Sequence, residues 1–178
     1  MDIQRTQIAL SDPQFSRVEE GIRESYPNAC VLWIEQIENP ALERLYQQQK
    51  LEIETKRKQS CSELLLYHGT TESAVGTIIH HGFNPERNVR SVYGKGSYFA
   101  KNASYSRDYA PPRSDKISFM LLCSVLVGNV AVYGNSYIID TTLHDNSVDH
   151  LDRPSIYVTP YTYGAIPRYV IAFYRDAR

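Results

Sequence analysis

Leu64-Leu65-Leu66-Tyr67-His68-Gly69-Thr70 carries an aliphatic strand into a histidine, a glycine and a threonine, and Tyr93-Gly94-Lys95-Gly96-Ser97-Tyr98-Phe99-Ala100 presents a second glycine- and tyrosine-rich block downstream. Between the blocks, Ala74, Val75, Ile78 and Ile79 share one face of a helix expected over Thr71 to His80, with Gly82 suited to stop it. Beyond the second block the chain is mainly strand. Ile117 to Val127, Val130 to Tyr133, Tyr137 to Asp140, Ser155 to Val158 and Tyr169 to Tyr174 are rich in β-branched, aliphatic and aromatic residues, with Gly, Asn, Asp and Pro between them.

Working back towards the amino terminus, residues 1–60 read as helical with one strand. Asp12-Pro13 is a cap and first-turn proline ahead of Phe15, Val18 and Ile22. Val31-Leu32-Trp33-Ile34 reads as a buried strand, and Asn39-Pro40 opens a second helix with Leu42, Leu45, Tyr46 and Ile53 on one stripe. Lys56-Arg57-Lys58 at its end is expected to be a solvated helix terminus that complements the macrodipole. The expectation is an α+β fold: one domain over 1–178, its helical part at 1–60 and a β-rich core at 61–178, with helices early and a mainly antiparallel split sheet late.

Composition narrows the function without naming it. The 178 residues suit a single core, and 19 basic against 20 acidic residues, mixed along the chain, leave a net charge of -1 that argues against a nucleic-acid partner. Three cysteines, Cys30, Cys61 and Cys123, lack CxxC spacing and read as reduced thiols, with neither a disulfide framework nor a metal site expected. With no signal-peptide pattern and no apolar run long enough to span a bilayer, an intracellular protein, cytoplasmic or nuclear, is expected. Gly94-Lys95-Gly96 is not a dinucleotide-binding loop, because it lacks the third glycine and leads into a strand instead of opening a helix.

The order of His68-Gly69-Thr70, then Tyr93 to Ala100, then Ser104, Ser106 and Tyr109, resembles the NAD-binding core of the poly(ADP-ribose) polymerase family, over roughly residues 60 to 178. The resemblance implies NAD+ as substrate and a pocket of backbone amides, hydroxyls and tyrosine faces. Breaking the nicotinamide–ribose bond suits such a pocket: the leaving group is already activated, so holding, orienting and excluding water do most of the work. On this resemblance Gly69 bonds the nicotinamide carboxamide through its backbone, Ser106 adds a hydroxyl, Tyr109 stacks on the ring from the same helix face, and Tyr98 with Ala100 beyond it forms the second wall. His68 meets the ribose hydroxyls on the nicotinamide side, and Thr70 meets the adenosine-side ribose. Gly69→Trp is expected to block the nicotinamide subsite in an intact fold. The loop Phe83 to Val92 corresponds to the segment that covers the donor; Asn84 stands where some polymerases have a basic residue, and Arg87 and Arg90 either meet the pyrophosphate or are simply solvated. His80 and His81 are assigned no catalysis.

Polymerising members complete a histidine–tyrosine–glutamate trio. Here the matching positions are His68, Tyr98 and Ile156, and an isoleucine cannot accept a hydrogen bond, so the resemblance is to the mono-ADP-ribosyltransferase branch. Such a branch transfers one ADP-ribose to protein acceptors, Glu, Asp or Cys side chains, with the chain itself among the candidates. A compact connection from Tyr133 to Ser155 replaces the longer acceptor loop of polymerases, and its Asp140, Asp145, Asp149 and Asp152 are expected to be turn residues and solvated charges. Two alternatives stay open: an inactive module that binds NAD or a peptide without transfer, and transfer to a nucleic-acid end.

Overall fold

A computed structural model describes residues 2–88 and 91–175. Among these residues the chain forms nine strands and four α-helices in the order β1 (Gln4–Gln7), α1 (Pro13–Ser25), β2 (Cys30–Glu38), α2 (Pro40–Arg57), β3 (Ser62–Thr70), α3 (Glu72–His81), β4 (Ser97–Ala100), α4 (Ala103–Arg107), β5 (Ile117–Val127), β6 (Val130–Ala131), β7 (Asn146–Val148), β8 (Ile156–Thr159) and β9 (Ala165–Tyr174), with a 3-10 turn at Pro85–Arg87. The strands make one sheet in the order β1-β2-β9-β5-β3-β4-β8-β7-β6, antiparallel except for the pair β6–β7. The α+β class with a mainly antiparallel sheet is therefore as expected.

Strand β5 shows why its run is largely apolar instead of alternating. Phe119, Leu121, Cys123 and Val125 enter a core that contains Val75, Ile78 and Ile79 of α3, while Met120 and Leu122 enter a second core that contains Phe15, Val18 and Ile22 of α1. Successive side chains of a strand point to opposite faces, so a strand covered by a helix on each side buries every position. Strand β9 does the same, with Val170 and Ala172 on the α3 side and Ile171 and Phe173 on the α1 side. Burying one such aliphatic side chain stabilises the fold by about 1.5–3 kcal/mol.

Both early helices start where their caps predict. The Asp12 carboxylate accepts the Gln14 N–H at 2.8 Å, and the Asn39 Oδ1 accepts from Ala41 and Leu42 while its Nδ2 donates to the Ile79 carbonyl of α3 at 2.8 Å. The second cap thus also ties α2 to α3. Leu42, Tyr46 and Ile53 are buried against Leu126 and Ile166.

Four details depart from the expectation. The first sixty residues contribute two strands, since Gln4–Gln7 adds a fully exposed edge strand whose polar residues carry no apolar pattern. Val130 to Tyr133 shortens to Val130–Ala131, and Tyr137 to Asp140 makes no strand: Tyr137 and Ile138 are 67% and 74% exposed, and the only pairing there is a bridge from Lys95 to Ile138. Asn146–Val148, too polar to suggest a strand, is wholly buried as β7. The split expected in the sheet lies between β3 and β4, which pair at one position only, Tyr67 with Ala100, whereas β3 and β5 pair continuously from Ser62 to Thr70.

Candidate active site

A cavity of about 1030 Å³ opens at that split, bounded by the end of β3, α3, the 3-10 turn, β4 and α4. Its size is at the upper end of the roughly 300–1,000 Å³ of small-molecule and cofactor sites. His68, Gly69, Thr70, Asn84, Tyr98, Ala100, Ser106 and Tyr109 all line it.

His68 packs on two aromatic rings that also touch each other, Phe83 at 5.1 Å and Phe99 at 5.4 Å between centroids. Its Nδ1 is 2.7 Å from the Tyr98 carbonyl. A carbonyl only accepts, so Nδ1 carries the proton and Nε2 keeps a free lone pair. Burial pushes the His68 pKa down, against the opposing pull of the Tyr98 carbonyl, so the ring is neutral at physiological pH. The result is an oriented acceptor.

The Tyr98 hydroxyl is engaged within the chain. The phenol donates to the Gly94 carbonyl at 2.7 Å and accepts the Tyr93 N–H at 2.9 Å, closing the turn that Gly94 makes possible with φ of 93°. Burial pushes this phenol up to about 12.

Gly69 is required for a reason the sequence does not show. A Cβ there would lie 1.8 Å from the Ser106 carbonyl oxygen, so the glycine lets α4 rest directly on β3. The expected outcome of Gly69→Trp is corrected accordingly: any side chain at this position displaces α4 and its Ser106 before it fills a pocket.

Ser106 is buried, and Tyr109 is not on its helix. α4 ends at Arg107, and Tyr109 follows the cap, held by its N–H donating to the Ser106 carbonyl at 3.1 Å. Asn84 is an exposed cap whose Oδ1 accepts the Glu86 N–H at 3.0 Å, shaping the 3-10 turn. Arg87 reaches the cavity wall from that turn and His81 from the end of α3, while Arg90 lies outside the described residues.

Ile156 opens β8 opposite Ala100 but is not on the cavity wall. With Ile139 and Val158 it forms a small apolar cluster against which Tyr93, Tyr98, Tyr105 and Tyr133 pack. Tyr105 is a cavity residue that the sequence reading passed over.

Two of the aspartates expected to be solvated are buried and fully engaged. Asp149 accepts the N–H groups of Ser155 and Ile156 at 2.9 and 3.0 Å and the Ser155 hydroxyl, which fastens the start of β8. The Asp145 side chain is 0% exposed and holds Arg57 Nε at 2.8 Å and Lys56 Nζ at 2.8 Å, with Tyr161 and the Asn129 N–H completing its shell. Lys56 and Arg57 are thus not a free helix terminus but a clamp from α2 onto the segment before β7. Burial pushes the Asp145 carboxyl up, but Arg57, Lys56, Asn129 and Tyr161 outweigh it and leave it below the usual aspartate range. Among the described residues no helix is long and apolar enough to cross a membrane.

Known proteins are similar to this sequence over most of the chain. Residues 14–152 match the family model of the poly(ADP-ribose) polymerase catalytic domain. The chain is 32% identical to the protein mono-ADP-ribosyltransferase PARP14 of Homo sapiens over 94% of its own length and 10% of that protein. It is 33% identical to PARP10 of Mus musculus over 79% of this chain and 16% of the relative, and 31% identical to PARP12 of Homo sapiens over 96% and 26%, both also named protein mono-ADP-ribosyltransferases. The chain therefore spans about a quarter or less of these three relatives. With a match that starts in α1 and runs past β7, the chain belongs to the poly(ADP-ribose) polymerase catalytic domain family.

Proposed function

We propose that this chain is an NAD-dependent mono-ADP-ribosyltransferase acting as one intracellular catalytic domain, with residues 61–178 as its NAD-binding core. The observation that carries the reading is His68: its Nδ1–H is committed to Tyr98, so its Nε2 is a fixed, neutral acceptor inside a cavity whose other walls are Gly69, Ser106 and Tyr109. In this reading Nε2 accepts a hydrogen bond from a ribose hydroxyl of NAD+, the Gly69 backbone and the Ser106 hydroxyl grip the carboxamide, and Tyr109 and Tyr98 enclose the ring. Thr70 and Ala100 shape the remaining wall, and Asn84 and Arg87 sit over the donor from the 3-10 turn.

The nicotinamide–C1′ bond breaks with its electron pair leaving on neutral nicotinamide. An acceptor oxygen or sulfur of a protein side chain then bonds C1′. A target carboxylate brings its own negative charge to the oxocarbenium-like centre, which supplies the electrostatic stabilisation that no carboxylate at position 156 provides. Ile156 cannot activate a sugar hydroxyl, so transfer stops at one unit.

The test is nicotinamide release from NAD+ together with the mass of ADP-ribose on the chain and on added proteins, with His68→Ala beside it. Single ADP-ribose increments are expected, and His68→Ala should lose about tenfold or more in kcat/KM, the effect of about 1.4 kcal/mol at the transition state. Because burial lowers the His68 pKa, activity should hold level as pH falls through about 6.5 and decline only below it. NAD+ binding without release would favour the inactive module instead, in which a retained pocket serves recognition.

A further inference from the structure

We propose that Tyr105 is a positioning residue, setting the ring of Tyr109 for the nicotinamide side of the cavity; the inference rests on the ADP-ribosyltransferase reading above. α4 is five residues long and ends before Tyr109, so helix geometry does not orient that ring, which is 41% exposed. What reaches it is Tyr105. The two hydroxyls are hydrogen-bonded at 3.1 Å, and the rings lie 5.1 Å apart between centroids at 41°. That spacing falls within the roughly 4.5–7 Å of interacting aromatic pairs.

Tyr105 is itself seated on the other side of the site. It packs, beside Tyr98, on the cluster of Ile139, Ile156 and Val158, so its place is set by β8 as well as by α4. Burial and the bond to Tyr109 both push its phenol upward, which keeps the hydroxyl protonated at neutral pH. A ring carried on a turn must be immobilised each time it stacks on a ligand, and holding it in place beforehand removes part of that entropic cost. Ile156 gains a positive role from the same arrangement. It is the apolar base under the tyrosine that aims Tyr109, and a carboxylate there would put charge into an apolar cluster.

Tyr105→Phe removes one hydroxyl and keeps the ring, Tyr109→Phe does so from the other side, and the double variant closes a cycle. Nicotinamide binding by calorimetry should weaken about fivefold in each single variant, the size of one hydrogen bond, and no further in the double variant. KM for NAD+ should rise by the same factor while kcat changes less than about twofold, the pattern of lost binding with chemistry intact. Wild-type affinity in Tyr105→Phe, or losses that add in the double variant, would overturn the inference. The same cycle in urea unfolding needs no ligand: non-additive midpoints are expected, and additive ones overturn the pair. A wild-type chain that binds neither nicotinamide nor NAD+ would instead overturn the ADP-ribosyltransferase reading, while the urea cycle still decides the Tyr105–Tyr109 contact.

Discussion

From β2 across to β3 the sheet consists of long ladders with helices on both faces, and Leu121, Val125, Val170 and Ala172 are completely buried there. From β4 across to β6 the strands are two to four residues long, and the buried groups include Asp145, Asn146, Ser147 and Thr159. The first half is held by apolar burial along the strands. The second is fastened by carboxylates that satisfy backbone N–H groups and cations brought from elsewhere in the chain. The cavity lies where the two halves separate, with His68 and Gly69 on the first and Tyr98 and Ala100 on the second. A site at such a boundary borrows rigidity from one side and shape from the other.

The sharpest way to break this comparison is Asp145→Ala, which leaves Arg57 without its buried partner. A loss of about 3–5 kcal/mol is expected in urea unfolding, as for other buried pairs deprived of one member. A loss below about 1 kcal/mol would mean that the short strands hold without the clamp. The same carboxylate gives the second half an acid sensitivity. Its folded pKa is depressed, so its contribution is complete above the unfolded aspartate value of about 3.9 and disappears as pH falls through the lower folded value. Asp149, also depressed, although burial pushes it up, because Ser155 and backbone N–H groups outweigh that burial, acts in the same direction.

The counterpart in the first half is Leu121→Ala, fully buried in the core under α3. It should cost about 3 kcal/mol by leaving a cavity, with no pH dependence between about 4 and 8. A pH-dependent loss would show that the halves are not energetically separate. The smallest effect belongs to a cap outside both: Asp12→Ala should cost about 1 kcal/mol, read as faster amide exchange in the first turn of α1 with the cavity unaltered.

The comparison also explains which features could be read from the chain. Ile117 to Val127 was legible to the residue because burial on two faces leaves a run that is apolar but for Ser118 and Ser124, and Asp12-Pro13 and Asn39-Pro40 marked their helices because a cap and its partners lie within three residues. Strand β7 was not legible, since Asn-Ser-Val carries no apolar pattern. Nor was the clamp: Lys56 and Arg57 are separated from Asp145 by nearly ninety residues, and a cationic helix end is ordinarily solvated. Tyr137 and Ile138 failed in the opposite sense, with strand-forming side chains that have no neighbouring strand to pair with.

At the site, the residue types His68, Gly69, Tyr98, Ser106 and Tyr109 were determined by the sequence itself, since their order along the chain is a property of the chain. Only the tertiary structure decided what each one does there. It directed the Tyr98 carbonyl to the His68 ring and so chose the tautomer, set Ser106 against Gly69 so that a side chain is excluded, and took Tyr109 off the helix into the reach of Tyr105. It also set Ile156 off the cavity wall, as the base under the tyrosines. The physical reason is range. Periodicity and capping act between neighbours a few residues apart, whereas hydrogen-bond direction, burial and charge pairing are set by groups that the fold brings together from distant segments.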